Sequence, residues 1–114
     1  MSMKLSDVVT ELGLSVISGA EHLDREVTGC YVSDLLSDVM GNAGEGQIWV
    51  TLQLHVNIVA VAALRDLAGI ILVNSRMPLE ETLSKAVEEG LPLLSSSLST
   101  YEIAGRCYSL GLGR

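Results

Sequence analysis

Residues 47–78 read QIWVTLQLHVNIVAVAALRDLAGIILVNSRMP, and this stretch decides the fold. It holds two apolar runs, 48–52 and 70–73, that are continuous rather than alternating. A strand needs such a run when both of its faces are buried, and a parallel sheet covered by helices supplies that environment. Each run gives way to polar residues: Thr51, Gln53, His55 and Asn57 after the first, Asn74, Ser75 and Arg76 after the second. These residues mark the carboxyl edge of the sheet, where open α/β sheets bind ligands.

Between the runs lies a segment over 57–67 in which Ile58, Val59, Ala60, Val61, Ala62, Ala63 and Leu64 leave no polar face until Arg65. A helix that is apolar all round is buried on more than one side. Its place is between the sheet and another layer, a second subunit being one candidate for that layer.

The same reading extends outward in both directions. Leu5, Val8, Val9 and Leu12 recur at helical spacing before Gly13, so a short amphipathic helix opens the chain. Strands are expected over 14–18 and 27–32, joined by a polar loop over 19–26 in which Asp24 and Arg25 form a solvated turn or a local ion pair. Ser33 caps a helix whose apolar side carries Leu35, Leu36, Val39 and Met40, and Gly41, Asn42, Gly44 and Gly46 form the turn into the strand at 47–52. Past Arg76, a helix over 79–89 turns Leu79, Leu83, Ala86 and Val87 inward and pairs Glu81 with Lys85 outside. A strand over 92–95 follows. Ser99 and Glu102 then stand at capping-box spacing for a final helix that ends at Gly111. Strands and helices alternate from residue 27 onward, the signature of repeated right-handed crossovers. The expected architecture is α/β, one compact domain over 1–114 with a mainly parallel sheet flanked by helices.

Composition narrows the function. Hydrophobic residues make up 48% of the 114 and charged residues only 18%, with a mean hydropathy of +0.41. A small domain this apolar has surface to share, so a homodimer is expected. The net charge of −7 repels a polynucleotide backbone, which argues against nucleic acid as partner. A single nucleotide is compatible, because one arginine and a helix N-terminus hold a phosphate locally. No apolar stretch reaches the roughly 18 residues of a membrane span, so a membrane role is not expected. Cys30 and Cys107 form no CxxC or Cys/His cluster; they read as reduced core thiols of a cytoplasmic protein. No metal or cofactor is expected.

The candidate ligand-binding residues are Thr51, His55, Asn57, Asn74, Ser75 and Arg76. His55 and Asn57 stand at a strand-to-helix junction, where a polar side chain caps the helix as readily as it meets a ligand. Arg76 brings a full positive charge suited to phosphate or carboxylate. No catalytic residue is assigned. The triplet at 95–97 offers hydroxyls without a His/Asp partner, and the phosphate-loop GxxxxGK, HExxH and GxSxG patterns are absent. An enzyme would have to work through His55.

The segments DREVTGCYVSDLL (24–36), GQIWVT (46–51), NIVAVAAL (57–64), LAGIILVNSRMP (67–78) and GLPLLSSSLST (90–100) together resemble the DRTGG-like domain family over nearly the whole chain. The family's namesake segments fall at 52–56 and at Val73-Asn74-Ser75, where a Thr-Gly-Gly is usual. The resemblance implies a small α/β module, related to the N-terminal domain of HPr kinase/phosphorylases and found between CBS domains of some pyrophosphatases. Such modules pair as dimers and are regulatory rather than catalytic. The reading that follows is a non-enzymatic homodimeric sensor of a small anionic ligand, for which a nucleotide is one candidate. The alternative is a protein-interaction module that docks on an enzyme or regulator without a small ligand.

Overall fold

The computed structural model describes residues 3–112. The chain runs β1 (Met3–Lys4), α1 (Leu5–Leu12), β2 (Ser15–Ser18), a 3-10 turn (Ala20–His22), β3 (Glu26–Val27), β4 (Gly29–Val32), α2 (Leu36–Asn42), β5 (Gln47–Thr51), α3 (Asn57–Leu64), β6 (Gly69–Leu72), α4 (Glu80–Glu89), β7 (Leu93–Ser95) and α5 (Thr100–Ser109). The main sheet has the order β2-β7-β6-β5-β4. Four of its strands, β4 to β7, are parallel and lie in chain order, while β2 joins β7 antiparallel. The fold is α/β with a mostly parallel sheet, as expected.

Successive right-handed crossovers in one direction put every crossover helix on the same face. Accordingly α2, α3 and α4 form one layer, where Val39, Ile58, Val59, Ala62 and Ala86 meet Trp49, Ile70, Leu72 and Leu93. On the other face α1 and α5 bring Leu5, Val8, Leu12, Ile103 and Cys107 against Ile48, Val50, Ile71 and Leu94. Neighbouring residues of β5, β6 and β7 thus enter opposite cores, which is why these strands need continuous apolar runs.

Several elements end where local chemistry dictates. Gly13 stops α1 at φ +63°, a left-handed conformation that costs a side chain but not glycine. Ser99 Oγ accepts from the Glu102 amide at 3.2 Å, so the N-cap of α5 is made as its spacing suggests. The Glu102 carboxylate turns instead toward Arg106, 3.8 Å away. Ser99→Ala is expected to lower the unfolding free energy by about 0.5–2 kcal/mol, read from the midpoint of urea denaturation; an unchanged midpoint would remove the cap from the account.

The structure corrects other expectations. The strand expected over 27–32 is broken at Thr28, whose amide and hydroxyl bond the Gly46 and Glu45 carbonyls at 2.9 and 2.8 Å. Its first part, β3, leaves the sheet and pairs with β1. Arg25 finds a distant partner, Asp66, at 3.2 Å, rather than a neighbour in its loop. Ser33 Oγ accepts from Leu35 N and so caps a turn one step before α2. Leu35 is left outside the helix and exposed.

The apolar helix expected over 57–67 ends at Leu64. There Arg65 swings its guanidinium to the Ala43 carbonyl, with Nε at 3.0 and Nη2 at 2.8 Å, and Asp66 turns left-handed at φ +52°. α3 lies between α2 and α4 above the sheet, and Ile58, Val59, Val61 and Ala62 are buried within the subunit. Its outward residues are Asn57, Ala60, Ala63 and Leu64, the last 70% exposed.

On α4 the buried stripe is Thr82 and Ala86, while Leu79 is the exposed N-cap and Val87 is 63% exposed. Thr82 tolerates this burial because its hydroxyl donates to the Leu54 carbonyl at 2.7 Å. Lys85 pairs with Glu88 at 3.3 Å and Glu89 at 3.7 Å instead of Glu81. Glu81 sits in the first helical turn, where the helix dipole already favours a carboxylate, whereas Glu88 and Glu89 sit at the end where it does not.

Candidate functional site

The carboxyl ends of β4, β5, β6 and β7 deliver four loops to one edge of the sheet, and hydrogen bonds tie them in pairs. Asp34, just after β4, holds the first pair. Its Oδ1 accepts from Thr51 Oγ1 at 2.8 Å and from the Leu52 amide at 2.7 Å, and its carbonyl accepts from Gln53 Nε2 at 2.9 Å. Thr51 is fully buried. It anchors the loop beneath the edge and does not reach solvent, which corrects its reading as a ligand contact.

His55 performs the capping role open to a junction residue. Its Nδ1 accepts from the Asn57 amide at 3.1 Å, and its carbonyl accepts from the Ile58 amide at 3.0 Å. The first amides of α3 are therefore satisfied from within the chain. Because Nδ1 is an acceptor, the neutral imidazole carries its proton on Nε2. The exposed side of His55 offers a donor, the wrong group for a general base and the right one for an anion's oxygen. The Asn57 side chain is exposed beside it.

The second pair of loops diverges. After β6 the chain turns to α4 on one face of the sheet, and after β7 it turns to α5 on the other. Across this parting the Asn74 amide donates to the Leu98 carbonyl at 2.9 Å and the Ser75 amide to the Ser96 carbonyl at 2.8 Å. Ser96 Oγ accepts from the Leu98 amide at 3.0 Å, the turn duty expected of the serine triplet. Asn74 and Ser75 both sit at φ +57°, a left-handed backbone that costs a non-glycine residue about 1–2 kcal/mol, least for asparagine. Their side chains and that of Arg76 are exposed. Ser75→Gly is expected to raise the unfolding free energy by about 1 kcal/mol, within the range for relieving one left-handed residue; a loss of stability in urea titration would show that the serine hydroxyl matters more than its backbone.

The edge thus carries exposed side chains that find no hydrogen-bond partner among the described residues, namely the Asn57 and Asn74 carboxamides, the Ser75 hydroxyl and the Arg76 guanidinium, together with the outer nitrogen of His55. Asp34 is the site residue that sequence reading missed. Its sole signal was a Ser-Asp pair directly after a strand.

The site is an open edge. Of the two hollows described in the structure, one, about 470 Å³, runs along α4 and is lined by Val56, between His55 and Asn57, and by Glu80, Glu81, Ser84, Lys85 and Glu88. The other, about 230 Å³, lies beside the Arg25–Asp66 pair at the amino edge. Among the described residues no group of three or more His, Cys, Asp or Glu could hold a metal ion.

Two further clusters surround β4. Tyr31 donates its phenol to Asp38 at 2.9 Å, and hydrogen bonds from Ser33, Tyr31 and Asn42 hold the Asp38 carboxyl below its ordinary value. Cys30 on β4 lies beside Cys107 on α5, and this neighbour together with burial pushes the Cys30 thiol well up. Both cysteines are free, as their spacing suggests.

No protein-family model matches the chain, and no curated protein matches it significantly. Among solved structures, the chain is similar to the crystal structure of the CBS and DRTGG domains of the regulatory region of Clostridium perfringens pyrophosphatase, complexed with its activator diadenosine tetraphosphate. The identity is 13% and the TM-score 0.71, over 96% of this chain and 47% of that one. The chain therefore spans about half the length of that structure. A likeness at this identity is one of fold, and it agrees with the α/β architecture described above and with the DRTGG-like fold that the resemblance implies.

Proposed function

We propose that this chain is a regulatory domain without catalytic activity, one DRTGG-like unit over 1–114 that pairs as a homodimer and binds a small anionic ligand at the carboxyl edge of its sheet. The contacts are His55, Asn57, Asn74, Ser75 and Arg76, with Thr51 and Asp34 as the floor that positions them. What supports this reading is that the loops after β5 and β6 both leave the carboxyl edge of the sheet and carry the exposed side chains of His55, Asn57, Asn74, Ser75 and Arg76. A nucleotide is the first candidate, because the similar pyrophosphatase region is complexed with a dinucleoside polyphosphate. A cytoplasmic location is part of this reading, and the free cysteines are compatible with it.

Thermal unfolding in the presence of AMP, ATP, diadenosine tetraphosphate and inorganic phosphate tests it. A ligand bound only by the native state raises the midpoint, and at least one of these is expected to do so.

The second reading, a docking module without a small ligand, is favoured by one feature. Leu35, Met77 and Leu79 are exposed on the loops that follow β4 and β6, an apolar fringe suited to a protein partner. A panel with no shift at millimolar concentrations would favour it.

A further inference from the structure

The chain's two cysteines come from distant parts of the sequence and meet side chain to side chain. Cys30 lies on β4, which as an outer strand of the main sheet is paired only with β5. Cys107 lies on the last helix, α5, where it and Ile103 are the residues turned into the core. The thiols meet at the rim of that core. Cys107 is 1% exposed, while Cys30 packs against the same cluster and is only partly buried.

A lone buried cysteine packs as a small apolar side chain and is inert. Two in contact differ, because each can react with the other. The Cys30 thiol donates toward the Cys107 sulfur, which pulls the Cys107 thiol below its ordinary value against the opposing effect of burial, and the same contact pushes Cys30 up. Cys107 is therefore the sulfur that ionises first, and Cys30 keeps its proton. The thiolate is the nucleophile.

We propose that Cys30 and Cys107 form a peroxide-responsive dithiol that closes to an intramolecular disulfide and so fastens the last helix to the outer strand. The Cys107 thiolate attacks one oxygen of hydrogen peroxide and the O–O bond breaks. The sulfur becomes a sulfenic acid, and the other oxygen takes up the proton lost on ionisation and leaves as water. The Cys30 sulfur then attacks the sulfenic sulfur, the S–S bond forms, and the expelled hydroxide leaves with the Cys30 proton as a second water. Two thiols are oxidised and one peroxide is reduced. A peroxide suits the site because the attacking sulfur is almost fully covered, and a bulkier disulfide oxidant would have to touch it. In a reducing compartment such a bond is transient, since cellular thiols reopen it by exchange.

The bond would join elements on both sides of the carboxyl edge. β4 leads into the loop of Asp34, which holds the Thr51 hydroxyl and the Leu52 amide, and α5 follows the loop whose Ser96 and Leu98 carbonyls receive the Ser75 and Asn74 amides.

Thiol titration of the whole chain, reduced, treated with hydrogen peroxide and then unfolded, tests the proposal. Both thiols are expected to disappear, with the intact mass lower by two hydrogens and a single cross-linked peptide pair containing Cys30 and Cys107. The loop that the bond closes spans most of the chain, so the unfolded state loses much of its freedom, and the thermal midpoint should rise by on the order of 10 °C. Dithiothreitol should reverse both changes. Cys30→Ser should stop at a sulfenic acid on Cys107, trapped by dimedone, and lack the rise in midpoint. Two titratable thiols in the peroxide-treated wild type would overturn the proposal, as would a disulfide that joins two chains on a non-reducing gel in place of the internal one.

Discussion

Trp49→Ala is expected to lower the unfolding free energy by about 3–5 kcal/mol, the usual cost of deleting a buried aromatic side chain. Trp49 is the chain's single tryptophan and is fully buried among Val39, Ile58, Ala62, Ile70, Leu72 and Leu93. Removing it opens a cavity between β5 and the α2–α3 layer, and small neighbours such as Ala62 cannot fill that space. The indole also donates to the Ser33 carbonyl at 2.7 Å. Its loss leaves that carbonyl without this partner at the start of the loop that carries Asp34. Domains of this size are stable by only about 5–15 kcal/mol, so the variant approaches the limit of folding. Urea denaturation followed by circular dichroism measures the change, since the variant has no tryptophan fluorescence. Trp49→Phe separates the causes, because it keeps most of the volume and forfeits the hydrogen bond. A loss below about 1 kcal/mol for the alanine variant is what an ordinary surface substitution gives, and it would mean that this layer of the core is misplaced.

The parts of the fold that could be read from the chain are those governed by local patterns. β5 and β6 announce themselves because both faces of each strand are buried, and α1 because its apolar residues fall on one stripe before a glycine. β2 gave no sign of its antiparallel pairing with β7. Ser15 and Val16 are exposed and the strand is four residues long, so no periodicity distinguishes its direction. The split between β3 and β4 was equally hidden, since it depends on Thr28 meeting Gly46 across the first crossover. Val87 and Leu79 misled because the inward stripe of α4 includes a threonine, whose burial depends on a carbonyl that only the assembled fold supplies.

For the site, the capping duty of His55 followed from its junction position, while the burial of Thr51 did not, because it is Asp34, in the loop after the neighbouring strand β4, that claims its hydroxyl. Asn74 and Ser75 look like an ordinary turn. The structure gives them consecutive left-handed conformations, at the positions where the resembled family usually carries two glycines, and the conformation accounts for that preference.

Arg76→Ala is expected to weaken ligand binding by about 1.5–3 kcal/mol, the worth of a hydrogen bond to a charged group, or between tenfold and somewhat over a hundredfold in dissociation constant. Arg76 is exposed and makes no side-chain hydrogen bond or ion pair among the described residues, so its removal should leave the denaturation midpoint almost unchanged. Arg76 is the one permanently charged side chain among the proposed contacts. The site is open, so screening reaches it, and affinity should fall as salt is raised from low to physiological ionic strength. Binding carried only by neutral groups would show little such dependence.

Isothermal titration of the wild type and of Arg76→Ala with whichever nucleotide gives the largest thermal shift tests the central claim most directly. The account predicts saturable binding to the wild type that is at least about tenfold weaker in the variant, a difference of about 1.4 kcal/mol or more. Equal affinities in the two proteins would contradict it and move the ligand away from the carboxyl edge of the sheet.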